Sequence, residues 1–289
     1  MNAIYVLVTA ARNEEDYIER TLKSVVSQTI LPKKWIIVCN NCTDNTEKIV
    51  SSYSGKYGFI QLKNLKGDES RNTAAKVFAI NAGLELIKDL NYQFVGNIDA
   101  DIELESDYFE RLIMKFIQYQ NLGIAGGWIN ELQNGITRER FGNSEQRVPG
   151  SVQMFRRECF EMIGGYMPLR TGGEDSTAEV TARMYGWVVK SFPDLKVLHN
   201  RITSIEKCNI LYTRFRQGKE DYYLGNHPLF EVFKFIKRTR ERPFFIGSIF
   251  RIIGYLLELI RNRSIIIPTD VVRHLRKEQM IRIKSLFKL

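Results

Sequence analysis

The 289-residue chain has no glycine-rich phosphate loop. No G-x-G-x-x-G follows its first apolar run, which disfavours a dinucleotide-binding sheet, and the absence of G-x-x-x-x-G-K-[ST] excludes a P-loop. Cysteine is scarce: Cys39, Cys42, Cys159 and Cys208 make one C-x-x-C, in CNNC, with no second pair at zinc-like spacing. Zinc and thiol-redox chemistry are therefore disfavoured, and a reducing, cytosolic compartment is the default. Low-complexity tracts and internal repeats are missing, and there are only 7 prolines. The N-terminal MNAIYVLVTAARNEE lacks a basic leader and reads as a first buried strand rather than a signal peptide. The most apolar segment, PFFIGSIFRIIGYLLELI at 243–260, is broken by Arg251 and Glu258. Its longest charge-free run is eight residues, far short of the ~20 that cross a bilayer. Net charge is missing from most of the chain as well. Residues 1–227 hold 28 basic and 28 acidic side chains, whereas 228–289 hold 14 and 5, so the whole surplus of +9 lies there. That distribution excludes a generally basic nucleic-acid binder and gives the tail an anionic partner of its own.

What is present is an alternation of strand and helix patterns. AIYVLVTA is a near-continuous apolar run, as expected of a strand covered on both faces. Asn13 to Asp16 then open a helix carrying Ile18, Leu22, Val25 and Val26 at helical spacing. KWIIVCN is the second strand, and Asp44 caps a helix bearing Ile49, Val50 and Tyr53. GFIQL is a third strand, residues 71–89 a long helix, and YQFVGNI a fourth strand. Such alternation implies right-handed βαβ crossovers and an α/β fold with a mostly parallel sheet flanked by helices. Ligands in these sheets bind at the carboxyl ends of the strands. Three polar clusters converge there: Ala11 to Glu14, Asn40 to Asp44, and Asp99 to Asp101.

The last cluster raises a question of chemistry. Read as a strand end, FVGNIDADIEL would point Asp99 and Asp101 to the same side, where two carboxylates repel unless a positive group lies near them. A divalent cation with oxygen ligands is one answer, and a polar strand end leading into an acidic helix cap is the other. The convergence with the other two clusters favours the cation.

In order along the chain, TAARNEE (9–15), NNCTDNT (40–46), KVFAINAGL (76–84), DAD (99–101), QMFRRECFEMIGGY (153–166), GEDSTAEVTARMYGW (173–187) and His199 resemble the family 2 glycosyltransferases with the glycosyltransferase A fold. The resemblance covers roughly the first 200 residues. It implies an inverting transfer of sugar from a nucleotide-diphosphate donor with Mg²⁺ or Mn²⁺ as cofactor. Ala10, Arg12, Asn13 and Glu14 would then close over the nucleotide, with Glu14 near ribose or base. Asn40 stands where many relatives carry an aspartate that accepts the imide N–H of uracil; an amide oxygen can accept the same bond without the charge. Arg71 would pass beside the donor, while Lys76 is read as part of a solvated helix face. Asp99 falls near the ribose and the ion, and Asp101 and His199 become metal ligands. Asp175 matches the general base and Glu174 the neighbour of the acceptor hydroxyl; a helix cap is the structural alternative for Asp175. The Q-x-x-R-W motif of processive relatives is absent, so single-sugar transfer is expected. Arg214, Arg216 and Lys219 become candidates for the donor diphosphate or an anionic acceptor.

These expectations divide the chain into a catalytic domain at 1–227 and a basic amphipathic helical extension at 228–289. In the extension Ser248, Arg251, Glu258 and Arg261 form a narrow polar stripe, suited to an in-plane helix on an anionic membrane. The partners implied are a nucleotide-diphospho-sugar, a saccharide or lipid-linked acceptor, and the cytoplasmic face of a membrane. Two other readings stay open: a non-catalytic nucleotide-sugar-binding module, and a sugar-nucleotide pyrophosphorylase, which the absent glycine loop disfavours.

Overall fold

The computed structural model describes residues 3–66, 73–133, 136–140, 142–201, 210–239 and 243–286. Two compact units are formed, the first by residues 1–170 and 174–201, the second by 171–173 and 202–289. The division falls at 201/202 and not at the 227/228 boundary expected from charge, for a packing reason given below.

The first unit contains β1 (Tyr5–Ala11), α1 (Ile18–Val26), β2 (Lys34–Asn40), α2 (Thr46–Lys56), β3 (Ile60–Leu65), α3 (Thr73–Glu85), β4 (Phe94–Ile98), β5 (Ile102–Leu104) and α4 (Tyr108–Gln118). It continues with β6 (Leu122–Gln133), β7 (Ile136–Glu139), β8 (Val152–Arg156), α5 (Arg157–Met162), α6 (Glu174–Met184) and β9 (Val188–His199). Strands run in the order β3-β2-β1-β4-β8-β6-β9-β5, with β7 paired to β6. The parallel pairing expected from βαβ alternation holds from β3 to β4. Beyond β4, β8 enters antiparallel to both β4 and β6, β9 lies parallel to β6, and β5 is antiparallel to β9.

Strand alternation builds the core. Tyr5, Leu7, Trp35 and Ile37 point to one face, where Leu22 of α1 and Phe109 and Phe116 of α4 cover them. Val6, Val8, Ile36 and Val38 point to the other, under Val77 and Ile80 of α3 and Ala178 and Ala182 of α6. Helix α3 lies close on the sheet: a Cβ on Gly83 would come 2.7 Å from Val8 Cγ1. The A-x-N-x-G stretch is thus a packing feature.

The second unit contains α7 (Ile210–Tyr223), α8 (Pro228–Arg238), α9 (Ile246–Ile260) and α10 (Thr269–Leu286). Helices α7 and α9 nearly touch at their backbones. A Cβ on Gly218 would lie 1.8 Å from the Arg251 carbonyl oxygen, and one on Gly254 would lie 2.1 Å from that of Phe215. One glycine on each helix removes the side chains that would hold the pair apart, which is why α7 joins the extension. Asp221 of α7 is buried against Lys234 of α8 (2.6 Å) and Arg251 of α9 (2.6 Å). Asn226 donates to Asp221 and Glu231, and Gln279 of α10 donates to Asn226. Arg251 and Glu258 of the α9 polar stripe therefore tie the helical bundle together, Glu258 through Lys219 and Tyr223, whereas Arg261 is exposed. No helix among the described residues is long and apolar enough to cross a membrane.

Candidate active site

Chain direction places a cleft at the end of β1. After β1 the chain builds β2 and β3 on one side, then crosses to β4 on the other, so β1 ends at a topological switch point. There Ala10, Arg12 and Glu14 after β1, Asn40 at the end of β2, Lys76 on α3, and Asp99 and Asp101 after β4 line a cleft of about 220 Å³. The expected nucleotide residues thus converge, apart from Arg71, which lies outside the described residues, and Asn13, which acts from behind.

Asn13 adopts a left-handed conformation, φ 55°, which asparagine tolerates better than most residues. Its side-chain oxygen accepts from Thr43 N at 2.8 Å. Asp44 accepts from Glu15 N at 3.1 Å and from Thr46 N at 3.0 Å. These bonds tie residues 13–15 to the loop after β2 and delay α1 to Ile18, although the acidic run reads as its first turn. Asn40 donates through Nδ2 to Ala75 O at 3.4 Å, leaving its oxygen as the acceptor. Cys39 and Cys42, on either side, are free. Their mutual hydrogen bond raises Cys39 and, against the effect of burial, lowers Cys42.

Asp99 and Asp101 do not share a strand face, because β4 ends at Ile98 and the DAD stretch turns. The turn is pinned from three sides: Asp99 N donates to Ser151 O (2.9 Å), Thr21 Oγ1 to Ala100 O (2.9 Å) and Asn200 N to Asp101 O (2.9 Å). Each carboxylate takes its own cation. Asp99 Oδ1 lies 2.6 Å from Lys76 Nζ, so Lys76 belongs to the cleft and not to a solvated helix face. Burial works against the Lys76 charge, but Asp99, Glu174 and Asp175 outweigh it and hold the ammonium protonated. Asp101 Oδ1 lies 3.3 Å from His199 Nε2 and its Oδ2 lies 3.5 Å from Arg201 Nε. Burial disfavours the Asp101 charge, yet the neighbouring imidazole and guanidinium keep its carboxyl below the usual range. Arg201 also pairs with Glu14 and lies over the Tyr17 ring, 4.9 Å from its centroid. Burial, opposed by Arg201 and reinforced by Asp101, pushes Glu14 up to about 7.

Glu174 and Asp175 open α6, again in the first unit. Asp175 rests against a bare backbone: a Cβ on Gly150 would fall 2.7 Å from its Oδ2. Asp175 is the second residue of α6 and not its N-cap, and its Oδ1 accepts from the adjacent Ser176 N at 2.7 Å. Burial, then the Asp175 charge, pushes Glu174 up to about 7. One turn along, Glu179 is buried and accepts from Val148 N at 2.6 Å, near Gln153, which accepts from Tyr166 OH at 2.7 Å. Burial outweighs Arg147 and pushes Glu179 also to about 7.

Among the described residues no group of three or more His, Cys, Asp or Glu side chains is placed to hold a metal. Asp101 Oδ1 and His199 Nε2, 3.3 Å apart, nevertheless offer one oxygen and one nitrogen ligand, and Asp101 Oδ1 is buried without a hydrogen bond. Such a pair fits an ion that completes its shell with phosphate oxygens and water.

The sequence reading missed Arg201, Tyr17 and Gly150. Arg201 stands two residues past His199, the spacing of a shared strand face, and that was its only signal. Arg214, Arg216 and Lys219 lie on α7 of the second unit; Lys219 is 2.9 Å from the buried Glu258, Arg214 bonds Gln217, and Arg216 is exposed.

Sheet order, switch-point cleft and acidic turn define a protein of the glycosyltransferase A fold. The model of "Glycosyl transferase family 2" matches residues 6–171, and the chain belongs to that family. It is 28% identical over 209 residues to a probable glycosyltransferase, YdaM, of Bacillus subtilis, covering 63% of this chain and 47% of that one. It is 30% identical over 118 residues to a poly-beta-1,6-N-acetyl-D-glucosamine synthase of Staphylococcus epidermidis, covering 41% and 26%. The chain thus spans less than half the length of either relative. A mannosyltransferase of Pyrobaculum calidifontis, solved with GDP-Man and Mn²⁺, shares the fold with TM-score 0.56 and 15% identity over 98% of this chain and 81% of that one.

Proposed function

We propose that the protein transfers a single sugar, with inversion, from a nucleotide-diphosphate donor to a saccharide or lipid-linked acceptor in cell-envelope or exopolysaccharide biosynthesis. The observation that carries this reading is the clustering of Lys76, Asp99, Asp101, Glu174 and Asp175 about the switch-point cleft. Ala10, Arg12, Glu14, Asn40 and Asp99 receive the nucleoside, Arg71 is assigned beside the donor, and Lys76 brings a fixed positive charge to it. Asp101 and His199 would hold Mg²⁺ or Mn²⁺, which would supply Lewis acidity to the departing diphosphate. Asp175 takes the proton of the acceptor hydroxyl as the acceptor oxygen bonds to the anomeric carbon and the bond from that carbon to the phosphate oxygen breaks, the electron pair leaving on the diphosphate. Glu174, poised near neutrality, orients the acceptor hydroxyl. Arg214 and Arg216 are assigned to diphosphate or an anionic acceptor, with Lys219 more weakly placed because it already balances Glu258.

The relatives' names support the biosynthetic setting, and the +9 surplus supports docking of 228–289 on the cytoplasmic face of an anionic membrane. A nucleotide-sugar screen with Mg²⁺ and Mn²⁺ identifies the donor. On that donor Asp175→Asn lowers turnover roughly 10²–10⁴-fold with donor affinity within a few-fold. NMR of the product should show an inverted anomeric centre; retention would remove the single displacement.

A further inference from the structure

Helix α9 is built inside out. Its polar residues Ser248 and Glu258 are 5% and 2% exposed, whereas Ile253 is 41% and Ile260 78% exposed. Phe250, Ile253 and Leu256, with Ile249 and Ile260, follow one another at helical spacing on the outward side. On α8, Leu229, Val232 and Ile236 repeat the pattern, each about half exposed. The bundle thus spends its polar groups on the Asp221–Lys234–Arg251 network and turns two apolar stripes outward. A soluble surface does not gather such a patch without a partner.

The charges around it select the partner. Of the acids in these helices, Glu231 and Glu258 are buried, and Glu278 faces His274 at 3.3 Å. Lys237, Arg261, Arg263, Arg273, Lys277 and Lys284 are exposed, against Asp270 as the one exposed acid among the described residues of α8–α10. Lys237 next to Ile236, and Arg261 and Arg263 just past Ile260, put cations at the ends of the apolar stripes, which matches the boundary between acyl chains and anionic headgroups. A 15-residue helix is ~22 Å long and lies in that boundary rather than crossing it.

We propose that the outward faces of α8 and α9 insert into the interfacial layer of an anionic bilayer, with Phe250 and Ile253 among the inserted side chains. This deepens the membrane contact proposed above and rests on it. It reverses the role of Arg251 and Glu258 in the polar stripe, which hold the bundle together instead of facing water, while Arg261 stays exposed.

Flotation of the full chain with vesicles of phosphatidylcholine and phosphatidylglycerol in equal parts, against phosphatidylcholine alone, tests it. The chain should float with the anionic vesicles, and Phe250→Asp/Ile253→Asp should weaken partitioning at least ~10-fold, with far-UV circular dichroism and nucleotide binding unchanged. In a second readout, Phe250→Trp should add fluorescence that brominated lipid quenches. Undiminished flotation of the double variant, together with no quenching of the indole added by Phe250→Trp, would overturn the insertion and leave membrane contact through the basic surface standing. No flotation, with a dimer in ultracentrifugation that the double variant dissociates, would assign the face to a second copy. No flotation and no self-association would overturn the membrane contact too. None of these readouts uses sugar transfer, so failure of the transferase reading shows separately in the donor screen.

Discussion

Glu179→Gln isolates one buried acid behind the candidate active site. The carboxyl is 2% exposed and is pushed up from 4.5 to about 7 by burial. A folded state that holds the proton more tightly than the unfolded chain binds more protons between those values. Its stability therefore falls as pH rises from about 4.5 through 7 and levels off above. Integrated from pH 5 to 8, the loss is roughly 2–3 kcal/mol. The amide is neutral throughout and still accepts from Val148 N, so this component vanishes in the variant. Urea titrations of both proteins across that range should show the variant gaining on the parent by roughly 2–3 kcal/mol, or ~5–10 °C in Tm for a chain of this size. Glu14 and Glu174, also raised to about 7, slope the same way in both proteins and cancel in the difference. Parallel curves would refute the reasoning, because they would mean that Arg147 and Arg183, each 3.8 Å away, keep Glu179 ionised.

Gly254→Ala drives a Cβ to 2.1 Å from the Phe215 carbonyl oxygen and should destabilise the second unit by ~1–3 kcal/mol, read in urea unfolding. Gly55→Ala on α2 meets nothing within 4 Å and should be neutral or gain ~0.5–1 kcal/mol. Cys42, lowered by its bond from Cys39, should alkylate with iodoacetamide well before Cys39 at neutral pH; mass spectrometry of the digested protein reads the order.

The parts of this molecule written in local pattern were legible. β1, β2 and β4 appear as apolar runs, and the cleft at their ends follows from parallel topology alone. Other features depend on the partner more than on the residue. Lys76 looks like any helix-surface lysine until Asp99 is brought to it by the β4 turn. Periodicity put Ser248, Arg251, Glu258 and Arg261 on one side of a helix, but it carries no sign: which side meets water is decided by α7. The same gap misplaced the domain boundary, since the charge step near 228 reports composition while Gly218 and Gly254 report contact. Strand periodicity paired Asp99 with Asp101 correctly as neighbours and wrongly as one face, because nothing in VGNIDAD marks that extended structure stops at Ile98.

The most direct test is calorimetry of uridine and guanosine diphosphates on the full chain, with Mg²⁺ or Mn²⁺ and then with chelator, repeated on Asp101→Asn. The account predicts binding of at least one nucleotide that depends on the ion and is largely lost in the variant. A nucleotide that binds equally well in chelator and to Asp101→Asn would contradict the assignment of Asp101 to a cation shared with the diphosphate.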